Sequence, residues 1–164
     1  LSNMGAFLWC ATMTSCIFSA LTIRAWVEPA GFRLLLWSGV LSDYLLVDDF
    51  IMIHDRLLSQ RANIHEAYAL ALLGVATVYY LYTFRQTIRN TRYAMLLWAL
   101  RFLSTSVAVD ALFSPWIWSL GQPWLFFSED GAKWLGIACW FSYFAQTSTS
   151  MILRVLKCSN GGRV

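Results

Sequence analysis

In 164 residues this chain carries 59% hydrophobic and only 13% charged side chains, with a mean hydropathy of +0.55 and a formal charge of +3. Such a composition does not suit a water-facing surface, so the solvent it points to is lipid. The net charge decides little; what matters is where the 12 Lys and Arg residues fall among the 9 Trp, 11 Phe and 7 Tyr, because aromatic rings settle at the headgroup level of a bilayer.

The first apolar run, residues 5–27, is free of charge until Arg24 and is long enough to cross a hydrocarbon core of about 30 Å. It lacks the basic leading region of a signal peptide. Ala11, Ser15 and Ser19 recur at every fourth position along it, a small-residue seam against a neighbouring helix. Glu28-Pro29-Ala30-Gly31 then breaks the helix. The second span, residues 34–58, carries Asp43, Asp48, Asp49, His54 and Asp55, too many ionisable groups for a simple anchor. A short connection leads to His65 and Glu66 and a third span, residues 65–84.

Arg85, Arg89 and Arg92 make the next loop basic. The fourth span, residues 93–113, is interrupted by Arg101 and Asp110. Residues 114–127 combine Pro115, Pro123 and Gly121 with several aromatics and read as an interfacial segment rather than a crossing. The fifth span, 130–153, follows Glu129 and Asp130 and carries Lys133 one turn inside. Cys10, Cys16, Cys139 and Cys158 have no metal or CxxC spacing, and the three in apolar runs read as small hydrophobes.

These elements amount to one all-α polytopic membrane bundle covering residues 1–164, with five transmembrane helices. An outside N-terminus puts Arg24, Arg33, Arg85, Arg89, Arg92, Arg154, Lys157 and Arg163 on the inner side and only Arg56 and Arg61 on the outer one. The positive-inside rule therefore favours N-out and C-in, and an odd number of spans. The membrane expected is a bacterial inner, or plasma, membrane.

Threaded this way, the chain gathers Asp48, Asp49, His54, Asp55, His65, Glu66, Asp110, Glu129, Asp130 and Lys133 in the outer half of the bilayer. At about 100° per residue Asp48 and Asp55 share a stripe with Tyr44 and Ile51, while Asp43, Val47 and His54 share the next one. Three readings of this cluster stay open. Lys133, Arg56 and Arg61 neutralise the carboxylates as structural ion pairs, with Asp110 the expected partner of Lys133. Alternatively, Asp48, Asp49, His54, His65, Glu66, Asp110, Glu129 and Asp130 supply ligands to a divalent metal, Fe, Mn or Zn, since His and carboxylates from separate helices form such sites in bundles. The third reading is a proton or ion path. At the inner depth Asp43 and Arg101 are expected to form a buried ion pair.

The stretches DDFIMIHD at 48–55 and EDGAKWLGIACWFSYF at 129–144 resemble small multi-pass bacterial membrane proteins that carry no assigned function. The resemblance implies that acid-His and acid-Lys elements occur together in such proteins, and it transfers no activity and no catalytic residue. No nucleotide loop, Ser/His/Asp order, quinone or haem signature is present. The chain therefore reads as a small metal-dependent enzyme on membrane-borne substrates or as a non-enzymatic subunit of a larger membrane complex. Its expected partners are lipids and other membrane subunits, not nucleic acid.

Overall fold

The computed structural model describes residues 2–24, 29–58, 63–120 and 123–161, and the side chains of 4–24, 29–47, 72–109 and 130–157. Five α-helices follow one another: α1 (Ser2–Ile23), α2 (Pro29–Leu58), α3 (Asn63–Arg89), α4 (Ala94–Leu120) and α5 (Pro123–Gly161). The fold is all-α, and the described residues contain no strand.

Two boundaries are set by proline. Pro29 and Pro123 each open a helix, the position where the missing N–H costs nothing and the fixed φ is already helical. Of the expected 28–31 breaker, Pro29, Ala30 and Gly31 lie inside α2, and Glu28 is outside the described residues. The expected interfacial stretch 114–127 is divided instead between the end of α4 and the start of α5, with Gly121 and Gln122 between them. Apolarity carries α4 past Pro115 to Leu120. At about 1.5 Å per residue, the 39 residues of α5 reach roughly 58 Å, well beyond a hydrocarbon core.

The helices pack in the order α3, α2, α1, α5, α4, and α2 also reaches α5. The seam of α1 runs through Trp9, Thr12, Cys16, Ser19, Ala20 and Ile23, all buried, at helical spacing. Of the small residues singled out in the sequence only Ser19 is on that seam; Ala11 and Ser15 flank it, half-buried. Two glycines let helices close up. A Cβ on Gly39 would lie 2.7 Å from Ile17 Cγ1, and one on Gly136 would lie 2.8 Å from Leu103 Cγ and 3.1 Å from the Leu103 backbone nitrogen. These contacts join α2 to α1 and α5 to α4.

The described surface is strongly apolar, around a core of buried apolar side chains with several hydroxyls among them. Large apolar side chains cover the outside, among them Phe7 at 75% exposed, Phe18 at 66%, Val75 at 68% and Trp98 at 52%. Thr12, Ser19, Ser38, Ser42, Ser106, Thr147 and Ser148 are buried. Thr12 and Ser38 donate to the carbonyls of Leu8 and Leu34, one turn back, which satisfies the hydroxyls without help from water.

Candidate functional site

The centre of the bundle is built around Trp140 of α5, which is fully buried. Its indole N–H donates to Ser42 Oγ of α2 at 3.1 Å, and its ring meets Trp9 of α1 edge-on at 6.0 Å. Phe144, one turn along, stacks at a tilt 5.1 Å away. One side chain thereby ties α1, α2 and α5 together. Such pairs add to area burial and orient the rings.

Two tyrosines extend this seam towards the turn between α3 and α4. Ser38 Oγ uses its hydrogen on Leu34, so the Tyr80 hydroxyl of α3 donates to Ser38 at 2.6 Å. Thr91 Oγ1 likewise donates to Ile88, so the Tyr143 hydroxyl of α5 donates to Thr91 at 2.8 Å. Backbone bonds from Asn90 to Thr87 and from Thr91 to Ile88 close the end of α3, and one from Leu97 to Tyr93 starts α4. The Tyr143 hydroxyl thus pins the α3–α4 turn onto α5.

Beside that pin lies an open cleft of about 840 Å³ lined by residues 89–92 of the turn and by Tyr143, Gln146, Thr147, Ser150, Met151 and Arg154 of α5, among others. Arg89, Arg92 and Arg154 bring three guanidinium groups to it, and among the described residues no Asp or Glu lines it. Among the described residues none of the three has an ion-pair partner, and all three are exposed. A set of unpaired guanidinium forks beside hydroxyl and amide donors is chemistry for an oxyanion. Spacing in the sequence marked Arg89 and Arg92 only as a basic loop. Nothing in it placed Arg154, some sixty residues on, at the same cleft, because that depends on how far α5 overshoots the turn.

The residues singled out in the sequence fall differently. Among the described residues Asp43 and Arg101 do not pair and α2 makes no contact with α4; both side chains are exposed, and Arg101 lies 5.9 Å over the Trp98 ring instead. The expectation failed because depth along a helix fixes height in the bundle but not which helices are neighbours. Asp130 is exposed and Lys133 is half-buried and engaged with a partner. The side chains of Asp48, Asp49, His54, Asp55, His65, Glu66, Asp110 and Glu129 lie outside the described set. Among the described residues no group of His, Cys, Asp or Glu is arranged to hold a metal.

Residues 1–147 match the model of a family described as a domain of unknown function, DUF8692. This chain belongs to that family. No curated protein and no solved structure matches it. The DUF8692 match takes in α1 to α4 and α5 as far as Thr147, so it includes Trp140, Tyr143, Arg89 and Arg92 and stops short of Arg154.

Proposed function

We propose that this DUF8692 chain is a multi-pass integral membrane protein with five crossings, N-terminus outside and C-terminus inside, that serves as a non-enzymatic subunit of a membrane assembly. Two stretches, Met4–Ile23 and Pro29–Val47, are long and apolar enough to cross a bilayer, and Ala94–Val109 is apolar but shorter. Only 33% and 39% of the residues in the apolar windows of the two long stretches are buried. A core helix of a soluble protein would hide most of its apolar side chains, so this supports lipid or partner helices as the surroundings. Tyr79, Tyr82 and Tyr93 are exposed around the Arg85, Arg89 and Arg92 end, and Arg85 lies 4.8 Å over Tyr82. Exposed tyrosines beside arginines are the pattern of an inner membrane interface.

The subunit reading is carried by Asp43 and Arg101. Each is exposed within an otherwise apolar surface: Asp43 among Trp37, Val40 and Val47, Arg101 beside Leu97 and Trp98. Asp43 lies about four turns into α2 and Arg101 about two turns into α4. A lone carboxylate facing lipid costs about 3 kcal/mol on insertion scales, so a partner helix bearing the opposite charge relieves each of them. A metal site or an ion path in the outer half is the second reading, and it rests on side chains outside the described set.

Gentle solubilisation followed by native mass measurement tests the subunit reading. The wild-type chain is expected in an assembly larger than its 18.7 kDa monomer, and Asp43→Asn and Arg101→Gln should each release monomer. If the partner is a second copy, the double swap Asp43→Arg with Arg101→Asp restores the assembly; if it is a different chain, the swap does not. A wild-type monomer, unmoved by either change, contradicts the reading.

A further inference from the structure

We propose that the cleft between the α3–α4 turn and α5 is a binding site for a phosphate-bearing anion, held by Arg89, Arg92 and Arg154. Neither Asp43 nor Arg101 lines this cleft. Three features of its walls converge on phosphate. First, the charge is one-sided: among the described residues three guanidinium groups and no carboxylate line it, and none of the three is neutralised by a described residue. Bringing three like charges together with no counter-charge is unfavourable, and a dianion removes that cost while a forked guanidinium matches two of its oxygens at once. Second, donors without another partner stand beside the charges, namely the side-chain amides of Asn90 and Gln146 and the hydroxyl of Ser150. The hydroxyls of Thr91 and Thr149 are already spent on the carbonyls of Ile88 and Ala145, so they do not compete. Third, the wall is fixed in place. Tyr143 is buried to 2% exposure and holds the turn through Thr91, so two of the three arginines are carried on a turn clamped to the helix that carries the third.

One chemistry admits two sources, an anionic phospholipid headgroup or a soluble phosphate. The lipid source rests on the membrane reading above, because the cleft would then lie at the inner interface, where anionic headgroups concentrate and basic pockets between helices receive them. The soluble source does not rest on it.

The purified full chain is compared with Arg89→Gln/Arg92→Gln/Arg154→Gln in two arms. In nanodiscs of phosphatidylcholine with phosphatidylglycerol, native mass spectrometry counts retained phosphatidylglycerol; in detergent, inorganic phosphate is titrated while tryptophan fluorescence is read. The triple change should lower one of the two by about ten-fold or more and leave phosphatidylcholine retention unchanged. A control triple, Arg24→Gln/Arg33→Gln/Arg85→Gln, removes equal charge outside the cleft and should have little effect. Tyr143→Phe frees the turn and should weaken binding several-fold with every arginine in place. Loss confined to phosphatidylglycerol assigns the headgroup, and loss confined to inorganic phosphate assigns a soluble ligand; either supports the site. Binding in neither arm, or equal loss from the control triple, overturns it. Phosphate binding by a chain shown not to cross the membrane would keep the site and discard the membrane reading.

Discussion

Lys133 shows how much an isolated side chain reveals. It lies nearly three turns into α5, it is half-buried, and it is engaged with a partner. An ammonium at that depth is stabilised by a carboxylate, and Asp110, in the second half of α4, is the acid proposed here. Since Lys133 is partly exposed, its loss costs less than the 3 to 5 kcal/mol of a fully buried pair; about 2 kcal/mol is expected for Lys133→Met, read as a lower melting temperature in detergent. Adding Asp110→Asn should recover part of that. If a divalent metal occupies the outer cluster instead, Asp110→Asn alone should release metal in elemental analysis and Lys133→Met should not. Equal and additive losses from both changes, with no metal in either, would count against both accounts. At this scale the sequence was least informative about pairing. The equal depth of Asp43 and Arg101 suggested a bond, yet among the described residues their helices do not touch and α5 packs between them.

Between elements, what decides stability is how closely backbones approach. Gly136 faces the backbone of Leu103 as well as its side chain, so a methyl group there has nowhere to go, whereas Gly39 meets only side-chain atoms of Ile17 and Cys16. Gly136→Ala should therefore destabilise by about 1 to 3 kcal/mol and loosen α4 from α5, and Gly39→Ala by less. Gly74 has nothing within 4 Å, and Gly74→Ala should be neutral or gain up to about 1 kcal/mol from helix propensity. Thermal melts of the three variants give the order directly; Gly136→Ala as stable as Gly74→Ala would show that α4 and α5 do not meet at this point. The existence and order of the five helices were legible because each apolar run is long and bounded by charge, Pro or Gly. The ends were less so. Apolar residues 114–120 extend α4 despite Pro115, and α5 begins at Pro123 rather than after the acidic pair. The α1 seam was legible only in kind: small residues do line it, but Thr12, Cys16 and Ala20 occupy the centre where Ala11 and Ser15 were expected. A repeat of every fourth residue drifts around the helix, and the alternation of three and four sets the buried face.

For the molecule as a whole, the distinguishing feature is the amount of apolar side chain on its described surface. Phe7, Phe18, Val75 and Trp98 stand outside an interior in which Thr12 and Ser38 satisfy their hydroxyls on carbonyls one turn back, among buried apolar side chains such as Leu34, Ile137 and Trp140. In the membrane placement proposed above, lipid solvates such a surface and the arginines of one end lie on the inner side. The arginine distribution was readable from sequence as a statement about orientation. The cleft it builds was not, because Arg154 joins Arg89 and Arg92 only through the packing of α5 against the turn. An odd number of crossings makes one demand that no soluble or even-numbered arrangement meets: the two ends of the chain lie on opposite sides. Labelling tests it directly, using Asn3→Cys at one end and the native Cys158 at the other, with Cys10, Cys16 and Cys139 changed to Ser, in sealed cells treated with a membrane-impermeant maleimide. The account predicts that Asn3→Cys is labelled from outside and that Cys158 is labelled only after permeabilisation; both labelled from the same side, or a chain recovered in the soluble fraction, would contradict it.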